Sequence, residues 1–229
     1  MNESVKYIFE KYKYNNLPVH LHLGCGGKHL NNCINIDFPQ EEQPLVKSAA
    51  DVSADIVQLD FPTESVDSIQ LHHVFEHFSR GVALGLLCKW NRWLKVKGQL
   101  KITVPDAEAC CRGIGSSLPL NEKMRLIRHI AGSHEEDKWS FHIDQWFEER
   151  FWNTLGKLNF KILKINKITR SEGIFDLEVL SEKFNNTVME DMISNAIDLL
   201  WESTLHVVEL PMLNIWKDKM IDVIYSGRS

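Results

Sequence analysis

The stretch HLHLGCGGKHLNNCINID, residues 20–37, constrains the fold more than any other part of the chain. An apolar-rich run that stops at Gly-Cys-Gly-Gly reads as a strand turning into a glycine loop. CINID, ending at Asp37, reads as a second short strand. In a doubly wound sheet, ligands lie over the carboxyl ends of the strands. There, small residues let the backbone approach, and a carboxylate closing the second strand can accept ribose hydroxyl hydrogens. The loop is not the full dinucleotide fingerprint, because His29 stands at its third glycine position, and no three-turn helix separates the two runs.

Downstream runs fit the same architecture. ADIVQLD (54–60), VDSIQLHH (66–73) and QLKITVPD (99–106) read as further strands. Residues 79–95 carry Val82, Leu86, Leu87, Trp90 and Leu94 at helical spacing, with Ser79 as N-cap and Gly98 as the stop. Helices are also expected over 4–14, 119–131 and 144–160, and a closing hairpin of strands over KILKINKIT and IFDLEVLSEK. Strands alternating with helices imply an α/β fold, a parallel sheet covered on both faces. From about Asn186 the character changes to two amphipathic helices, one through Met192, Ala196 and Leu200 and one through Leu213, Trp216 and Met220. The chain therefore divides into a Rossmann-like domain, 1–185, opened by an N-terminal helix within 1–18, and a helical extension, 186–229.

Composition narrows the function classes. A net charge of -5 over 229 residues argues against an electrostatic nucleic-acid binder. The first residues, MNESVKYIFEKYKYNN, contain no continuous apolar segment of a signal peptide, and no run is apolar enough to span a membrane. Five cysteines without a C-x-x-C pair are most simply reduced thiols in a cytoplasm.

LHHVFEHFSR (71–80) contains His73, Glu76 and His77 in the order of the inverted zinc-peptidase signature. That reading needs an uninterrupted helix through 70–80, and VDSIQL before it is strand-like. A strand end facing a cofactor pocket suits the stretch better.

Three blocks, LHLGCGGKHLNNCINID, LDFPTESVDSIQLHHVFEHF and LLCKWNRWLKVKGQLKITVPD, resemble the class I S-adenosylmethionine-dependent methyltransferases, of the broad group that acts on small molecules. A weaker likeness continues in HIDQWFEERFWNTLGKLNFKI, so the resemblance spans roughly 19–183. It implies a mostly parallel seven-stranded Rossmann-like sheet with S-adenosylmethionine as cofactor and S-adenosylhomocysteine as product. It places Gly24, Cys25 and Gly26 beside the methionine part, Asp37 on the ribose, and Asp60 with the backbone of Phe61 near the adenine. His73 falls near the sulfonium and substrate, and Glu76 and His77 match the acidic-His pair of this group. The short stretch between Gly26 and Asp37 departs from the pattern and resembles a subset with a truncated first helix.

Candidate general bases for a hydroxyl acceptor are His142, Asp106, His73 and His134, histidine because its ordinary pKa suits neutral proton transfer. Asp106 also reads as a helix cap, and His20 and His22 as packing residues. No metal ligand is assigned. The expected acceptor is a small molecule, such as a sugar or nucleotide-sugar hydroxyl, with no nucleic acid and no membrane as partner. The apolar tail could cover its own domain, the acceptor, or a second copy in a homodimer. Alternatives are an NAD(P)-binding oxidoreductase, a zinc hydrolase on His73, Glu76 and His77, and a non-catalytic cofactor-binding subunit.

Overall fold

The computed structural model describes residues 3–42, 47–134, 139–171 and 173–227. Seven strands form one sheet: β1 His20–Leu23, β2 Ile34–Asp37, β3 Val52–Ser53, β4 Val66–His72, β5 Leu94–Pro105, β6 Phe160–Thr169 and β7 Phe175–Lys183. Their order is β3-β2-β1-β4-β5-β7-β6. The first five are parallel, and β7 runs antiparallel to both β5 and β6. The order reverses between β1 and β4, so the glycine loop after β1 and the turn after β4 open side by side at one sheet edge. That is where a doubly wound sheet holds its ligand.

Because parallel strands are buried on both faces, β1 and β2 read as nearly continuous apolar runs. Leu21, Leu23, Ile34 and Ile36 are fully buried. The polar residues among them are paired: His20 Nδ1 with Ser68 Oγ at 2.7 Å and His22 Nδ1 with Asn35 Oδ1 at 2.9 Å. The expected packing role of these histidines agrees with those bonds.

The helices are α1 Glu3–Tyr14, α2 Arg80–Trp93, α3 Ala107–Ile114, α4 Leu120–Ala131, α5 Glu148–Lys157, α6 Met189–Trp201 and α7 Leu210–Tyr225. Two sequence expectations fail locally. No strand forms over 54–60: the two-residue β3 ends at Ser53, and a 3-10 turn follows at Ile56–Gln58, which the Asp55 side chain caps by accepting the Val57 N–H. Its apolar residues Ile56, Leu59 and Phe61 reach the core from a turn rather than from a pleat. Gly98 does not stop α2, which ends at Trp93. It lies inside β5, near the irregular pairing with β4.

The C-terminal helices are part of the same core. α7 lies along α2, and α6 packs against α2 and α5. The contact with α7 is close because α2 carries glycine at 81 and 85, one turn apart. A Cβ on Gly81 would sit 2.4 Å from the Trp216 carbonyl oxygen, and one on Gly85 2.7 Å from that of Met220. Leu213, Met220, Val223 and Ile224 are buried there. The end of the tail is tied down by Lys89, fully buried, whose Nζ donates to the carbonyls of Val57 and Ser226 and to Ser226 Oγ. The tail's inner face is thus spent on its own domain, which leaves outward residues such as Leu210, Met212 and Ile215 for any second copy.

Candidate functional site

The glycine turn starts where β1 runs out. Gly24 and Gly26 adopt φ of +68° and +53°, a region that L side chains rarely enter. A Cβ on Gly24 would also lie 2.3 Å from Val74 Cγ2. Gly24 N–H and Cys25 N–H both point to the Ile36 carbonyl, binding the turn to β2. Asp37 is buried at the end of β2. Its Oδ2 accepts the Gly26 N–H at 2.5 Å and its Oδ1 the Phe38 N–H at 2.8 Å, fixing the plane of the carboxylate beside the turn. Cys25 is 4% exposed, and burial, with the Asp37 charge adding to it, pushes its thiol up to about 12, so it is an inert small residue.

A second group of polar residues follows β4. Residues 70–80 are strand, turn and helix start, not one helix: β4 ends at His72, a 3-10 turn spans Phe75–His77, and α2 begins at Arg80. The zinc-peptidase geometry, two histidines on one helical face, is therefore absent. His73, at φ +54°, turns its ring between two carboxylates. Its Nδ1–H donates to Glu76 Oε1 at 3.0 Å, and its Nε2 lies 3.4 Å from Asp176 Oδ2. Burial disfavours the imidazolium, but the bonds to Asp176 and Glu76 outweigh it and raise His73 to about 9. Its proton stays on at neutral pH, so His73 orients and charges the site rather than accepting a proton.

Asp176, from β7 and fully buried, also pairs with His129 Nε2 at 2.8 Å and with Arg170. Burial acts to raise its carboxyl, but His129 and His73 hold it far below the usual carboxylate range. Arg170 Nη2 lies 3.1 Å from His73 Nε2, so the two cations share this carboxylate.

His142 reaches the same place from the loop before α5. The Ile143 and Asp144 N–H groups both donate to the Glu76 carbonyl, at 2.8 and 3.1 Å, which brings the His142 Nε2 to 3.9 Å from Glu76 Oε1. Burial pushes His142 down to about 4 against the pull of Glu76, leaving a neutral imidazole. Glu76 is 2% exposed. Burial opposes its charge, yet the bond from His73 keeps its carboxyl below the ordinary value.

The structure does not gather all the expected residues. Asp106 follows β5 but is spent as the N-cap of α3, accepting the Ala109 N–H at 3.0 Å while 2% exposed. His134 is exposed and stacked on Phe141, 4.9 Å between centroids. Asp60 lies at the other end of the sheet, where Arg92 and Trp93 of α2 bind its carboxylate, and Phe61 is wedged between Phe9 and Trp93 in the core. Neither faces the glycine turn. Trp146 also belongs to the core, packed on Phe75 and Phe151.

Comparison with known proteins agrees with this arrangement. Residues 21–102, from β1 into β5, match the family described as "Methyltransferase domain". Two solved structures share the fold of this chain. One is Burkholderia thailandensis 1,6-didemethyltoxoflavin-N1-methyltransferase with bound 1,6-didemethyltoxoflavin and S-adenosylhomocysteine, at TM-score 0.50, 16% identity, 76% of this chain and 75% of that one. The other is a Haloferax volcanii protein in complex with the Trm112 methyltransferase activator, at TM-score 0.52, 13% identity, 75% of this chain and 84% of that one. No curated protein sequence matches the chain.

Within the matched stretch, the acidic residue nearest the ligand edge after β3 is Asp55, not Asp60. β3 pairs Ser53 with Asp37, and Ala54 N–H donates to the Asp37 carbonyl. Sequence reasoning missed Asp55 by extending the strand through it. It also missed Asp176, His129 and Arg170, which the sheet brings to His73 from distant parts of the chain.

Proposed function

We propose that the protein is an S-adenosylmethionine-dependent methyltransferase acting on a hydroxyl of a small molecule, with sugars and nucleotide sugars as the first class to try. The observation that carries this reading is the shared edge: the side-chain-free turn at Gly24 and Gly26, with the Asp37 carboxylate against it, lies beside the turn after β4 that holds His73 and Glu76. The turn suits the methionine part of the cofactor because Gly24 and Gly26, held at positive φ, present backbone without side chains there. Asp37 is assigned to the ribose hydroxyls and Asp55 to the adenine end, in place of Asp60 and Phe61.

When bound, the cofactor supplies a methyl group already activated by its sulfonium. The chain then has mainly to hold the acceptor oxygen in line, and orientation alone is worth several kcal/mol, on the order of 7 or more in favourable intramolecular cases. His142, neutral and beside Glu76, takes the acceptor proton. His73, held protonated, keeps Glu76 ionised and in place. Asp106, as a buried cap, has no part in the reaction. The net charge of -5 suits an uncharged or sugar-like acceptor better than a polyanion.

The test is transfer of a radiolabelled methyl group from S-adenosylmethionine to a panel of sugars, nucleotide sugars and other hydroxyl metabolites. Transfer to one class, reduced at least tenfold in His142→Ala, is expected. Binding of cofactor with no transfer to any acceptor would support the non-catalytic reading instead.

A further inference from the structure

We propose that Glu76, His77 and His142 form a binding site for one divalent transition-metal ion, Mn2+, Fe2+, Co2+ or Zn2+, at the acceptor side of the pocket. The proposal deepens the methyltransferase reading and rests on it for the role of the ion, but not for its binding.

Three observations carry it. First, one ligand atom from each residue can be chosen so that all lie within 4.8 Å of one another. Donors at ~2.1 Å from one tetrahedral ion stand about 3.4 Å apart, so a closure of roughly 1.4 Å at the widest pair completes the site. Second, Glu76 is 2% exposed and its Oε2 has no hydrogen-bond partner among the described residues. A buried carboxylate oxygen left unpaired is costly, and a cation is the partner that removes the cost. His142 Nδ1 is orphaned in the same way.

Third, the surroundings orient the donors. His77 Nδ1 lies 2.8 Å from the Phe141 carbonyl. A carbonyl only accepts, so the Nδ1 carries the proton and the Nε2 keeps the lone pair that a metal needs. His73 donates to Glu76 Oε1, fixing the carboxylate from behind. The loop carrying His142 is pinned by the Ile143 and Asp144 bonds to the Glu76 carbonyl, and Asp144 is gripped by both Nη atoms of Arg150.

Two imidazoles and one carboxylate suit the borderline divalent ions and leave open coordination positions. An acceptor hydroxyl bound there becomes more acidic, so it loses its proton to solvent as its oxygen takes the methyl group. With the ion bound His142 is a ligand, and its proton-accepting role is that of the metal-free protein.

The experiment is titration of chelator-treated protein with Mn2+, followed by electron paramagnetic resonance of the free ion, and with Co2+, followed by its visible absorption. One ion per chain is expected, bound at micromolar to tens of micromolar concentrations. At least tenfold weaker binding is expected in His142→Asn, in His77→Ala and in Glu76→Gln, with folding checked by circular dichroism. His77→Ala leaves the Glu76–His73 bond untouched, so the test survives misfolding of Glu76→Gln. No stoichiometric binding of either ion would overturn the proposal, as would binding unchanged in folded variants. Calorimetry with S-adenosylhomocysteine on the same samples separates the two readings. Cofactor binding without metal binding removes only the ion site, and metal binding without cofactor binding removes only the methyltransferase reading.

Discussion

Replacing Asp37 by alanine is expected to weaken S-adenosylhomocysteine binding by about 100-fold, roughly 2.7 kcal/mol. A hydrogen bond to a charged group contributes about 1.5–3 kcal/mol, and the ribose offers two hydroxyls to this carboxylate. The substitution also frees the Gly26 N–H, which Asp37 now holds at 2.5 Å, so part of the loss will come from a looser turn. Asp37→Asn separates the contributions. It keeps one acceptor oxygen but not the charge, and should cost closer to tenfold. Calorimetry on both variants, with circular dichroism confirming the fold, reads the effect. Undiminished affinity in folded Asp37→Ala would remove Asp37 from the cofactor site.

Asp176→Ala should produce the largest loss of stability, about 3 kcal/mol. Removing one partner of a buried ion pair costs about 3–5 kcal/mol, because the other charges stay buried and uncompensated. The lower figure applies because Arg170 is 37% exposed and can turn to water, whereas His129 cannot. The effect has a defined pH dependence. The folded-state pKa of Asp176 lies below its ordinary value of 3.8, so its stabilisation is complete above that value and is lost as pH falls through the folded-state pKa. The difference between wild type and variant in urea unfolding should therefore be full at pH 7 and shrink below about pH 4. Equal unfolding midpoints at pH 7 would show that the cluster contributes nothing net.

How much of this was legible in the sequence follows from distance along the chain. The glycine turn and Asp37 were legible because the strand, the turn and the carboxylate succeed one another within residues 20–37, and each leaves a local mark. Asp60 misled because Ile56, Val57 and Leu59 look like a strand, whereas the Asp55 cap turns them into a 3-10 turn and carries Asp60 away from the ligand edge. The glycines at 81 and 85 were a readable sign of close helix packing, and the tail's partner could have been inferred from them. The meeting of His142 with Glu76, and of His73 with Asp176, was not legible. Each depends on which loops the sheet order brings together, and β7 inserts between β5 and β6 without a local signal.

The most direct test of the central claim is calorimetric titration of the metal-stripped wild-type protein with S-adenosylhomocysteine. A single site binding in the micromolar range, about -8 kcal/mol, is the predicted result. No binding at millimolar ligand would contradict the assignment of the glycine turn and Asp37 to this cofactor.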